Sequence, residues 1–479
     1  VNCTIVGAAD EGWTNVNLKD PNLYYHGRTF DIGSSVGIDW SSSGVSFNVK
    51  ATDVKMTFAA NGGPWIQIFV DGERTKRIQI TNGEYEIATD LNAEKVTEIK
   101  VVNSSENNFN FAAINRISIK GELVPIERKN YKIEVIGDSI SAGQWMTAAS
   151  DATVFNLEEE DSTRTYASLL ADKFDAELTL LASSGAGVYV DSSGLKSGEV
   201  NTDNKPANIW ADMYGHAVTA RSARGVARGI KSEDWDFTND NPDLIIVNLG
   251  TNDASKAPKE AGTELDTFNN GVTTAVGDLL TKITTKHPNA KIVWCYGIMN
   301  NTLTTVIKTA VESFAKTNSN VSFIELPAQS EFSDTTGGGN HPNVETHAKL
   351  ADYLFDRIGA AYKLEARSQI DYTVPVLTTE TVTGNTIFPL EKEKQDHGSG
   401  FTSDPYNLNG NTGIHYEWAA GAGSGVRNGI DAKFSFDGIS IKLANIGDTT
   451  NPGSRRFALY FTTNKSLAYN GQKNGLLRI

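Results

Sequence analysis

Over residues 1–124 apolar and polar positions alternate in short runs broken by turn residues. This is the period of half-buried strands. Gly37–Trp40 leads into Gly44–Lys50, followed by Val54–Phe58 and Trp65–Val70. Val70-Asp71-Gly72-Glu73 reads as a hairpin turn, and Arg77–Ile80, Tyr85–Ala88, Val96–Val102 and Ile114–Ile119 continue the pattern. The expectation is an antiparallel β-sandwich over residues 1–126. Leu123–Ile126 then serves as a short linker.

The period changes after that. Buried strands alternate with helical segments, as in a parallel doubly wound α/β domain, expected over residues 127–365. Its strands are Ile133–Ile136, a run from Leu178, Asn241–Leu249, Lys291–Tyr296 and Val321–Leu326. Its helices are expected at 165–174, 208–218, 263–286, 303–317 and 344–358, with a further segment at 225–232. The irregular stretch Trp145–Ser162 is long enough to be an active-site flap. Within it, the acidic run Leu157–Asp161 reads as a solvated face. Residues 370–479 return to strand and turn signals, such as Ala432–Phe436, Ile439–Leu443 and Arg456–Phe461. A third, β-rich domain is expected there. Whether it binds carbohydrate or acts as a spacer, and whether it is cut short, stays open.

At 479 residues, two or three domains are the prior. The formal net charge of −15 argues against nucleic acid and anionic surfaces as partners. A neutral polymer fits better. No apolar run is long enough for a membrane span. No signal-peptide pattern is visible from Val1, and the chain is read as processed or trimmed; a secreted or cell-surface bacterial protein is expected, which the low cysteine count permits. Cys3 and Cys295 are far apart and suggest neither a disulfide framework nor zinc. No histidine or carboxylate cluster has metal spacing, so no metal or other cofactor is expected, and a monomer is.

Candidate chemistry lies at four chain positions. The strand ending at Ile136 runs into Gly137-Asp138-Ser139, which places a hydroxyl at the carboxyl end of a strand. A second strand runs into Gly185, a third into Gly250-Thr251-Asn252-Asp253, and His341 stands just before a helix. Ester hydrolysis needs a hydroxyl nucleophile, a base and oxyanion donors. Ser139, His341 and a donor set of Ser139 N–H, Gly185 N–H and the Asn252 amide could supply them.

These positions resemble the four sequence blocks of the SGNH (GDSL-type) hydrolases over roughly residues 131–362. One departure is that the aspartate of the usual Asp-x-x-His block is here Gly338. His26-Gly27-Arg28, Asp39-Trp40 and Phe69–Gly72, ahead of that domain, resemble carbohydrate esterase family 2. That resemblance implies a jelly-roll domain before the hydrolase domain and, in some members, no triad acid. A Ser–His dyad held by a backbone carbonyl is then expected. Asp334 is the rival orienting acid, Asp253 a weaker one, and Asp138 is read as tying down its loop. The resemblance also implies a carbohydrate O-acetyl esterase acting on acetylated plant polysaccharide (xylan or mannan) with a 6-O preference. Trp294 and Trp145 are sugar-stacking candidates, with a core role the bland reading for Trp294. A lipase or thioesterase on the same scaffold, and a non-catalytic polysaccharide-binding protein, are the alternatives. His347 is placed off the site, and His26, His216, His287, His397 and His415 are read as surface or satisfied positions.

Overall fold

The computed structural model describes residues 12–218 and 233–362, together with four strands further on. The chain divides into two compact units, Val1–Ile370 and Asp371–Ile479. In the second unit, Phe401–Leu408 pairs antiparallel with Asn411–Trp418, and Tyr460–Phe461 with Leu477–Arg478. The expected strands Ala432–Phe436 and Ile439–Leu443 lie outside the described residues, as does the segment 225–232.

In the first unit, ten strands form one antiparallel sheet. Its spine is the strand Gly44–Asn61, which pairs along its length with Phe111–Val124. The sequence suggested two strands here. They are one, because the alternation of buried and exposed positions continues through Ala51 and a register shift at Val54/Lys55 absorbs the irregularity. Apolar residues of this strand and its neighbours, among them Phe47, Val49, Met56, Ile66, Ile99 and Ile117, fill a single core. Trp65–Val70 turns into Glu73–Gln79 through Asp71 (φ 50°) and Gly72 (φ 82°). Both residues have positive φ, as a type I′ hairpin turn requires.

The second half of the unit is a five-stranded parallel sheet. Its strands lie side by side as Ala176–Ala182, Tyr131–Gly137, Leu244–Asn248, Lys291–Tyr296 and Val321–Glu325. Chain order reverses beside Tyr131–Gly137, so the carboxyl end of that strand is a topological switch point. Alternate residues feed two cores. Ile133, Val135, Leu244, Ile246, Val293 and Cys295 face one, with the helices Tyr166–Lys173 and Val344–Tyr362. Ile136, Ile245, Val247, Ile292 and Trp294 face the other, with Thr263–Lys286 and Thr304–Ala315. The expected helix 208–218 is only Trp210–Met213, followed by the strand His216–Val218. Gly215 interrupts it, and Trp210 is drawn into the core.

The two halves are joined by buried polar contacts. Arg28 reaches across to the buried Glu134 (3.2 Å) and donates to the carbonyls of Tyr214 and His216. Trp40 Nε1 donates to the Ala217 carbonyl at 2.7 Å, and its ring stacks on Trp210. Beside Arg28, Glu134, Asp240 and His287 bring ligand atoms within 4.8 Å of one another. The Arg28 guanidinium already supplies a cation there, and Tyr214 donates to the second Glu134 oxygen at 2.8 Å. His287 is buried with neither ring nitrogen hydrogen-bonded, so its reading as a surface or satisfied position is corrected.

Leu157–Asp161 is not a solvated face. Glu160 and Asp161 are buried, and Asp161 accepts from Arg74 at 2.8 Å. The sequence signal failed because the matching arginines, Arg74 and Arg77, sit on a strand of the other domain.

Candidate active site

Ser139 opens a one-turn helix, Ser139–Ala142, one residue after the strand Tyr131–Gly137. Asp138 caps it, its carboxylate accepting from Ile140 N–H at 3.0 Å. Gly137 is required because a Cβ there would lie 2.0 Å from Ser141 Oγ. Gly143 (φ 80°) ends the turn, its N–H bonding back to Ser139 O at 3.1 Å. The hydroxyl is thus fixed by backbone geometry at the switch point. Asp138 is fully buried, and burial pushes its carboxyl up to about 7 against the opposing Ile140 bond.

His341 comes from the loop before Val344–Tyr362. Its Nε2 lies 2.9 Å from Ser139 Oγ, and its Nδ1 lies 3.1 Å from the Gly339 carbonyl. A carbonyl can only accept, so Nδ1 carries the hydrogen and Nε2 presents its lone pair to the hydroxyl. Burial holds the imidazole below its ordinary range, and the Gly339 and Gly338 carbonyls oppose this. Gly339 (φ 55°) and Asn340 (φ 60°) give the loop the curl that turns the Gly339 carbonyl onto its own histidine.

Gly185 (φ 80°) lies at the end of the neighbouring strand, and a Cβ on it would meet Ser192 Oγ at 2.5 Å. Asn252 follows Gly250 (φ 126°) on the turn after Leu244–Asn248. Its amide donates to the Ala186 carbonyl at 2.8 Å and approaches Asp138 Oδ2 at 3.4 Å. Ser139, Gly185, Asn252 and His341 line one cavity of about 500 Å³. The other walls include Gln144, Ser184, Thr251, Asn300 and Asn340, with Met299 the apolar exception. Sequence reasoning missed these. For Asn300 a signal existed, since it follows the strand Lys291–Tyr296 at the same carboxyl edge.

Four candidates are not brought to the reacting atoms. Asp334 is exposed, and the Gly339 carbonyl faces the His341 nitrogen that an acid would hold. Asp253 instead accepts three backbone N–H bonds, from Val188, Tyr189 and Val190 (3.1, 2.8 and 2.9 Å), and so pins the chain beyond Gly185. Trp294 is 0% exposed, lies in the core and donates to the Leu249 carbonyl at 3.2 Å. Trp145 packs against Phe155 and the backbone of Gly338 and Gly339, and does not line the cavity. Trp294 is therefore no sugar platform in this geometry, while Trp145 is half-buried beside the glycine whose carbonyl holds His341. His347 is buried, accepting from Tyr166 N–H at 3.2 Å. Among the described residues no helix is long and apolar enough to cross a membrane.

Residues 133–354 match the GDSL-like lipase/acylhydrolase model, and residues 25–126 match the carbohydrate esterase 2 N-terminal model. The chain thus carries a region that matches the GDSL-like hydrolase model behind one that matches the carbohydrate esterase 2 N-terminal model. Among curated relatives, it is 27% identical over 357 residues to the cellulase/esterase CelE of Acetivibrio thermocellus, spanning 70% of this chain and 39% of that one. It is 23% identical over 347 residues to the acetylxylan esterase / glucomannan deacetylase of Cellvibrio japonicus, spanning 71% of this chain and 88% of that one. The solved family two carbohydrate esterase from Clostridium thermocellum, in complex with cellohexaose, superposes with a TM-score of 0.61 at 23% identity, covering 72% of this chain and 100% of that one.

Proposed function

We propose that this protein is a carbohydrate O-acetyl esterase that deacetylates hemicellulose, xylan or mannan, through a Ser139–His341 dyad. The observation that carries the reading is the relay Ser139 Oγ, His341 Nε2 and Nδ1, Gly339 carbonyl, with separations of 2.9 and 3.1 Å. His341 takes the Ser139 proton as Oγ attacks the acetyl carbonyl. The oxyanion is met by Ser139 N–H, Gly185 N–H and the Asn252 amide, which keeps its bond to the Ala186 carbonyl and exchanges the long 3.4 Å contact with Asp138 for the oxyanion. His341 then passes the proton to the departing sugar oxygen, leaving acetyl-Ser139. Water, deprotonated by His341, completes the cycle and releases acetate. The Gly339 carbonyl replaces the triad acid in orienting the ring.

A cavity walled mostly by hydroxyl and amide side chains suits a short acyl group on a sugar. Met299 is the one apolar side chain in its wall, so a long acyl chain would find no continuous apolar channel there, which disfavours the lipase reading. The family two relative solved with cellohexaose supports a polysaccharide substrate. We read the N-terminal sheet as a jelly roll, residues 370–479 as a β-rich module that is carbohydrate-binding or a spacer, and the protein as a secreted monomer. Removal from 6-O positions is the expected regiochemistry.

The test is acetate release from acetylated xylan and acetylated mannan by wild type, Ser139→Ala and Asp334→Ala. Wild type releases acetate, Ser139→Ala does not, and Asp334→Ala keeps most of the activity. A loss in Asp334→Ala as deep as in Ser139→Ala would overturn the dyad. Polysaccharide binding by wild type and Ser139→Ala alike, with no acetate from either, would favour a non-catalytic binding protein.

A further inference from the structure

The loop Ser104–Asn110 belongs to the N-terminal sheet, between the strands Thr97–Asn103 and Phe111–Val124. Its side chains nevertheless end in the hydrolase site. Glu106 Oε2 accepts Ser184 N–H at 2.6 Å. Asn108 Nδ2 donates to the Ser184 carbonyl at 3.0 Å and to Ser183 Oγ at 3.1 Å. One loop therefore holds both backbone groups of the residue that precedes Gly185. Glu106 is held in turn by Glu160, whose Oε1 accepts Glu106 N–H.

Both carboxyl groups are 0% exposed. Their remaining oxygens, Glu106 Oε1 and Glu160 Oε2, are buried and make no hydrogen bond, and the Ser184 hydroxyl is the neighbouring donor group at Glu106. The two carboxyls lie within hydrogen-bonding reach of each other. A single proton between them satisfies both oxygens, and two buried anions side by side would not persist.

The surrounding charges do not supply a substitute for that proton. Arg77, from the strand Glu73–Gln79, donates to the Glu160 and Glu158 carbonyls and lies 4.0 Å from Asp161. Arg74, on the same strand, is paired with Asp161. On the hydrolase side, the Asp138 carboxyl feels the Glu106 charge and is raised in part by it.

We propose that Glu106, sharing one proton with Glu160, is a positioning residue that the N-terminal domain contributes to the hydrolase. It fixes the Ser184–Gly185 turn so that Gly185 N–H meets the oxyanion, an inference that rests on the esterase reading. Burial raises both carboxyls above the ordinary range. The carboxyls bond each other with one proton or with two on the pair, so the brace is present at low and neutral pH and is lost on the alkaline side as the last proton leaves. Activity then falls on the alkaline side.

The test measures kcat and KM for 4-nitrophenyl acetate against pH in the full chain. It compares wild type, Glu106→Ala, Glu106→Gln and Glu160→Gln, with amide hydrogen exchange at Ser184 and Gly185 read in parallel. Glu106→Ala is expected to lower kcat by about 10- to 100-fold, below the full loss of an oxyanion donor, with KM little changed. Glu106→Gln can accept from Ser184 N–H and donate to Glu160, so it restores most of kcat and removes the alkaline fall. Glu160→Gln removes the same fall and serves where Glu106→Ala does not fold. Protection of the Ser184 amide drops in Glu106→Ala without any substrate present. Wild-type kcat in Glu106→Ala, an unchanged alkaline fall in both glutamine variants, or unchanged Ser184 protection would overturn the proposal. If no protein turns over the ester, the esterase reading fails, and exchange at Ser184 still decides whether Glu106 braces the turn.

Discussion

Gly338 stands three residues before the histidine, the place of the acid in the Asp-x-x-His block that this stretch resembles, so Gly338→Asp asks whether an acid can be put there. A Cβ on residue 338 would lie 2.2 Å from Trp145 Cε3 and 2.9 Å from both Trp145 Cζ3 and Ala148 Cβ. Carbon atoms rest at about 3.5–4.0 Å, so the ring and the loop must part by more than about 1 Å. Trp145 has little room to yield. It is held at φ 63°, its carbonyl accepts Gly338 N–H at 3.1 Å, and its ring lies 5.2 Å from that of Phe155. Overpacking of this kind costs about 1–3 kcal/mol. The loop that must move carries the Gly339 carbonyl and His341. A displacement of about 1 Å at a reacting group can cost about 10²-fold. The expected outcome is a fall in kcat/KM for 4-nitrophenyl acetate of about that size, with a lower thermal unfolding midpoint. Activity equal to or above wild type would refute the argument that Trp145 and the carbonyl-held histidine exclude an acid at this position.

Two further outcomes follow from the same structure. His341 must be neutral to act as base, and burial lowers its pKa from the ordinary 6.5, so the acidic limb of kcat/KM is expected below pH 6.5. A limb at or above that value would contradict the buried, carbonyl-held ring. Arg28→Met strands the buried Glu134 carboxylate at the domain joint, which should destabilise the protein by about 3–5 kcal/mol in denaturant unfolding. An unchanged midpoint would show that the pair does not hold the joint.

The features legible along the chain were local ones. Alternation of period two marked the N-terminal strands, and buried runs marked the parallel strands, because each pattern is written within a few consecutive residues. Gly137-Asp138-Ser139 and Gly250–Asp253 were legible as turns at strand ends for the same reason. The longer helices, such as Thr263–Lys286, followed from their own periodicity.

Tertiary structure decided whatever depended on a partner distant in the chain. Whether Trp294 faced a sugar or the core turned on which face of the sheet it occupied, and that face is covered by one helix that precedes it in the chain and one that follows it. The acidic run Leu157–Asp161 looked solvated because its arginines lie more than eighty residues upstream, on another domain. The choice between Asp334 and a backbone carbonyl rested on the curl of three glycines against Trp145, about two hundred residues away in the chain. Sequence patterns record how a residue meets its neighbours along the chain. Burial, charge pairing and the aim of a lone pair are set by residues that only folding brings together.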